Sequence, residues 1–255
     1  MMRLNCIILF ILLWFPAAAL AQDAVPLEIL GRTFCVKIGG AVGTAFTIDY
    51  KGKLYLVTAR HMVAGIPDSN AVIQVRRGDN WEDYRTIKTL YPSSKDVDIA
   101  VFETTEKVPQ PFQIAAFSQA GGGGITLGQS LWFIGYPFGL GSSNLTVNGV
   151  KGTSLPFMKR GSMSAIDGTN SDAVVYYIDG FNNPGFSGGP IVFWDFTTHK
   201  YEILGVVKGY KQDTAKTIVN EQEVDVPVLV NSGILVAYGI KYAIDAIENS
   251  LQKQP

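Results

Sequence analysis

The sequence predicts an all-β protein closed by one C-terminal helix, and three observations carry that expectation. Short runs of β-branched and aromatic residues recur along the chain, separated by Gly, Asn, Asp and Pro. A helical period emerges only near the end, where Ile240, Ala243, Ile244, Ile247 and Leu251 follow one another on one face. The chain has 255 residues, enough for a substantial core, and β proteins of this size commonly count as one domain.

The first residues stand apart from that body. Arg3 gives a positive start, residues 6–15 are an unbroken apolar run, and Ala19 and Ala21 supply small residues after Pro16. This is the pattern of a secretory signal peptide over residues 1–21, cleaved after Ala21. The run is too short to span a bilayer, which takes roughly 20 apolar residues. The expected location is secreted or periplasmic, with no stable membrane anchor once the signal is removed.

In the body, residues 42–47 and 53–58 flank Asp49-Tyr50-Lys51-Gly52, a hairpin signal. Strands are expected at 71–75, 84–91 and 99–103, with a turn through Arg77-Gly78-Asp79-Asn80. Residues 107–126 read as a connector, because Pro109, Pro111 and the run Gly121-Gly122-Gly123-Gly124 suit neither helix nor strand. Further strands are expected at 130–134, 174–178, 190–194 and 203–207. Residues 142–159 read as a long loop, and the closing helix is expected at about 236–251.

The whole chain has 21 Lys+Arg and 22 Asp+Glu. Loss of Arg3 with the signal leaves the balance slightly acidic, which gives no argument for a nucleic-acid partner. Cys35 is the one cysteine of the body and has no partner for an internal disulfide, so the fold must rest on its core. It lies in the alternating Thr33-Phe34-Cys35-Val36-Lys37-Ile38, as a buried strand cysteine would.

Three motifs carry chemistry. Thr58-Ala59-Arg60-His61 ends a strand-like run, Asp98 precedes apolar Ile99-Ala100-Val101-Phe102, and Ser187 sits in Asn183-Pro184-Gly185-Phe186-Ser187-Gly188-Gly189-Pro190. A serine hydroxyl is a poor nucleophile until a base takes its proton. His61 is the candidate base. The other histidine, His199, lies in a polar stretch resembling a hairpin tip. Asp98 is the candidate that orients the imidazole, with Asp96 as a lesser alternative; a carboxylate entering the core needs a partner. Ser187 is the candidate nucleophile, and the backbone N–H groups of Gly185 and Ser187 are the candidate oxyanion hole. No His/Cys/carboxylate grouping has zinc-site spacing, and no cofactor is expected.

With these motifs in order, the chain resembles the chymotrypsin/trypsin-type serine peptidases, nearest to secreted bacterial trypsin-like and HtrA/Deg-type protease domains. Gly43-Thr44-Ala45-Phe46 resembles the family's early strand, Thr58 to His61 its T-A-x-H motif, and Asp98-Ile99-Ala100-Val101 its D-[IL]-A-[VL] motif. Gly135-Tyr136-Pro137-Phe138-Gly139 resembles the G-[NY]-P-F-G loop, and Gly185 to Pro190 the G-x-S-G-G-P motif. The resemblance spans residues 40 to 210. It implies two antiparallel six-stranded β-barrels of the trypsin-like type with a C-terminal α-helix. The barrels would cover about 30–106 and 127–230, with the catalytic groups in the cleft between them.

The implied activity is serine-type endopeptidase hydrolysis through an acyl-enzyme, on a protein or peptide substrate. Phe186 stands where the trypsin branch has an aspartate, so a trypsin-type zymogen switch is not implied. No room is left for the peptide-binding (PDZ) module that Deg-type proteases usually carry. By the same resemblance, Phe181, Asn182, Lys208 and Tyr210 are candidate substrate-pocket residues. They imply a small or apolar residue before the scissile bond, with a glutamyl-type preference through Lys208 as the alternative. Two competing functions are a catalytically silent or gated binding protein on a protease scaffold and another acyl-transfer enzyme such as an esterase. Against the esterase, the order His61, Asp98, Ser187 is not the Ser, Asp/Glu, His order of the α/β-hydrolases.

Overall fold

The computed structural model describes residues 24–104, 124–147 and 150–253. The signal segment and most of the connector lie outside them. A short helix α1 (Leu27–Leu30) leads into β1 (Thr33–Ile38), β2 (Ala41–Tyr50), β3 (Lys53–Thr58), β4 (Val72–Arg77), β5 (Asn80–Leu90) and β6 (Ala100–Thr104). These six strands close into an antiparallel barrel in the order β1-β2-β3-β6-β5-β4. The β2–β3 turn is tight because Lys51 (φ 47°) and Gly52 (φ 78°) both take the left-handed conformation that a two-residue hairpin requires. Phe34, Val36, Ile38, Leu56, Ile73 and Phe102 fill the interior.

The second half contains β7 (Ser130–Gly135), β8 (Ser142–Val147), β9 (Val150–Leu155), β10 (Phe157–Asp167), β11 (Val175–Asp179), β12 (Pro190–Asp195), β13 (Lys200–Val219) and β14 (Gln222–Gly239). Here the expectation of two six-stranded barrels is corrected: only the first half is a plain barrel. In the second, six strands hydrogen-bond in the ring order β10-β11-β14-β13-β12-β7, but β13 and β14 outrun it. From Gln212 and Asn231 to Val219 and Gln222 they pair only with each other, as a projecting two-stranded arm. The Thr, Val and Ile residues of this segment favour extended backbone, so pairing continues past the ends of β11 and β12. β8 and β9 form a separate two-stranded sheet where a loop was expected.

The closing helix α2 spans Lys241–Gln252, later than expected, because 236–239 still belong to β14. Its Tyr242, Ala243, Ala246 and Ile247 are buried in a cluster with Ile48 and Val101 of the barrel and Val192 and Ile203 of the second sheet. The helix therefore closes the seam between the halves. Fully burying each Val, Leu, Ile or Phe stabilises the fold by about 1.5–3 kcal/mol, so this shared cluster fixes the halves against one another. Cys35 is buried opposite Thr44 on β2, and burial raises its thiol pKa to about 11.

Candidate active site

His61 lies on a 3-10 turn, Arg60–Val63, at the end of β3. Met62 and Val63 are buried and anchor the turn, which leaves the His61 side chain 48% exposed. Asp98 stands between fully buried Val97 and Ile99, just before β6. One Asp98 oxygen accepts the His61 backbone N–H at 2.8 Å, and the other lies 2.6 Å from His61 Nδ1. A carboxylate can only accept, so the proton sits on Nδ1 and Nε2 carries the lone pair. Asp96 does not join this pair; it accepts a bond from Asn170 Nδ2 at 3.1 Å. His199 is at the β12–β13 turn with φ 55°, exposed, as its polar surroundings suggest.

Ser187 comes from the other half. Its carbonyl accepts the Thr44 N–H at 3.0 Å, so β2 of the barrel grips the nucleophile loop directly. Gly188, with φ 83°, lies so close to Thr44 O and Thr58 Oγ1 that no side chain fits. The Ser187 hydroxyl donates to Lys208 O at 3.1 Å. No hydrogen bond joins it to the His61 ring among the described residues. Gly185 has φ 103°, and a Cβ there would collide with Tyr136 O and crowd Phe138 N. Neither the Gly185 nor the Ser187 N–H donates to a backbone carbonyl among the described residues.

The peptide planes around Gly185 are fixed from outside the loop. Pro184 O accepts the Phe138 N–H at 2.7 Å. Gly185 O accepts the Thr44 hydroxyl at 2.6 Å, and Thr44 Oγ1 in turn accepts the Tyr136 N–H at 3.0 Å. Phe138 holds φ 54°, a conformation uncommon for a bulky residue, and Arg76 of the barrel donates to the carbonyl of Gly139 beside it. Sequence reasoning quoted Thr44 and Phe138 only as parts of motifs and missed Arg76. Thr44 is fully buried within β2.

The four candidate pocket residues separate. Lys208 and Tyr210 line a cleft of about 550 Å³ beside His61 and Asp98, floored by Tyr177 and Tyr238. The Lys208 ammonium lies 5.8 Å from the centre of the Tyr238 ring. Phe181 and Asn182 are not among the residues of this cleft. Phe181 is 56% exposed. Asn182 is buried, its carbonyl accepting from Asn231 Nδ2 at 2.5 Å. Among the described residues no group of three or more His, Cys, Asp or Glu is placed to hold a metal ion, and no helix is long and apolar enough to cross a membrane.

Solved structures share this fold. The Rv3671c protease of M. tuberculosis in its active form aligns with a TM-score of 0.51 at 16% identity, over 91% of this chain and 86% of that one. The serine endoprotease from Yersinia pestis aligns at 0.55 and 18%, over 90% and 69%. The HtrA-type protease AlgW with a tripeptide aligns at 0.54 and 21%, over 87% and 60%. Comparison with curated proteins returned no match. The description "Trypsin-like peptidase domain" matches residues 43–195, more than half of the chain, and the chain therefore belongs to the trypsin-like peptidase domain family, as a serine-type endopeptidase.

Proposed function

We propose that Ser187, His61 and Asp98 form the catalytic triad of an exported endopeptidase that works through an acyl-enzyme. The two-point hold of Asp98 on His61 carries this reading. It fixes the tautomer that leaves Nε2 free to take the Ser187 proton. Ser187 Oγ attacks the peptide carbonyl, its proton passes to Nε2, and the imidazolium beside Asp98 returns it to the leaving amine. Water then attacks the ester, again through His61. The Gly185 and Ser187 N–H groups receive the developing oxyanion; one such donor contributes roughly 3–4 kcal/mol to the transition state.

The substrate is a protein or peptide. We assign it a small or apolar residue before the scissile bond, since no carboxylate occurs at 181–183 or 207–210 to select Lys or Arg. Lys208, which lines the cleft, is the group a glutamyl preference would use. The signal-like segment supports a secreted or periplasmic location.

A gated cleft is the second reading, favoured by one observation: the Ser187 hydroxyl rests on Lys208 O, away from the His61 ring. A hydrogen bond to His61 Nε2 must replace this contact before catalysis. The test is labelling of the folded protein with a fluorophosphonate, with mass spectrometry to locate the adduct. Labelling at Ser187 that disappears in Ser187→Ala and collapses in His61→Ala is the expected result. No labelling of folded protein would overturn constitutive activity in favour of the gate. Profiling with a peptide library then reads the pocket, and a dominant Glu preference would overturn the apolar assignment.

A further inference from the structure

Lys159, on β10, is a cation without a carboxylate partner among the described residues, and it sits beneath the loop that carries the nucleophile. Its ammonium donates to Phe181 O at 2.8 Å and to Asn183 Oδ1 at 2.5 Å. It also lies 5.5 Å from the centre of the Phe181 ring and 5.7 Å from that of Phe186. Such contacts hold a cation to the negative faces of the rings. Burial lowers the Lys159 pKa, a sign that its place is partly desolvated.

The residues it touches bracket the loop. Asn183 O accepts the Phe186 N–H at 3.3 Å, closing the turn that contains Gly185. Phe186 is fully buried and meets Phe133 edge-on at 5.2 Å, and Phe133 is the cross-strand partner of Lys159. One ammonium thus ties both ends of the turn, residues 183 and 186, to the strand pair β7–β10. We infer that Lys159 is a positioning residue, whose ammonium holds the 181–187 segment so that the Gly185 and Ser187 N–H groups converge. The inference rests on the proposed role of those two groups. It differs from a substrate-binding role in that both oxygens Lys159 engages belong to the protein itself.

The test compares wild type, Lys159→Met, Lys159→Arg and Asn183→Ala by steady-state peptide cleavage, fluorophosphonate labelling rate and thermal melting. Lys159→Met keeps the length of the side chain and removes the charge. Loss of hydrogen bonds from a charged group is expected to lower kcat about ten- to a hundredfold with KM nearly unchanged, and the labelling rate should fall in parallel. Lys159→Arg should recover most of kcat. Asn183→Ala, which removes one acceptor and leaves the strand intact, should show a smaller loss in the same sense and serves if the Met variant does not fold. Unchanged kcat and labelling in folded Lys159→Met or Asn183→Ala would overturn the inference, as would a change confined to KM, or a loss accounted for by the unfolded fraction alone. Failure of the wild type to label at Ser187 would instead sink the catalytic reading, so the two failures are distinguishable.

Discussion

In the first half of the molecule His61 and Asp98 meet within one barrel through two hydrogen bonds, and each stands beside a buried strand. In the second half Ser187 rides on a glycine turn whose shape is imposed by other parts of the chain: Thr44 and, through Gly139, Arg76 from the barrel, and Phe138 from the preceding turn. The base is therefore assembled within one barrel, while the nucleophile and its oxyanion donors depend on contacts from both halves. Defects in the first half should remove chemistry, and defects in the second should remove alignment.

The sharpest way to break the comparison is Asp98→Asn. It leaves the barrel intact but lets the imidazole take the wrong tautomer, and kcat should fall about 10⁴-fold with an unchanged melting temperature. A loss of fold instead would show that the pair is a structural element first. Next is Gly185→Ala. The added methyl meets Tyr136 O and Phe138 N, so the turn must open; kcat should drop about 10²–10³-fold through the oxyanion donors, with an unchanged fold by circular dichroism. An intact kcat would mean that this N–H is not used.

A smaller effect is expected for Thr44→Val, which keeps the strand but removes the donor to Gly185 O and the acceptor for Tyr136 N–H. Leaving a buried donor unsatisfied costs about 1–3 kcal/mol, read as a lower melting temperature together with slower phosphonate labelling. Thr44→Ser should restore both, and a failure to do so would point to packing of the methyl group. The smallest expected effect lies away from the cleft. Since burial raises the Cys35 thiol to about 11, it stays protonated through neutral and mildly alkaline pH. Iodoacetamide at pH 8 should leave Cys35 untouched in folded protein and modify it in denaturant; rapid native modification would show that the barrel opens locally.

How much of this was legible beforehand follows the same division. The barrel strands announce themselves through apolar runs between turn residues, and Lys51-Gly52 specifies its own hairpin. The proximity of His61 and Asp98 follows from two strands, β3 and β6, that pair directly. Less visible were β8, β9 and the arm of β13 and β14. The Ser, Asn, Gly and Lys content of β8 and β9 reads as loop, and they become strands because each supplies the other with hydrogen bonds. The helix start was misplaced because Leu235 and Ala237 suit a buried strand as well as an amphipathic helix. Thr44, Arg76 and Lys159 carry no local signal. Their partners lie 141, 63 and 22 to 24 residues away in the chain, and only the packed structure brings them together.

The projecting arm has a practical consequence. Beyond the ring its two strands present unpaired hydrogen-bonding edges, and Ile218, Val226 and Leu229 are 71%, 58% and 65% exposed. Such an edge is a template for another chain's strand. Association at high concentration is therefore expected to run through this ribbon, and shortening it should give a preparation that stays dispersed, as read by light scattering.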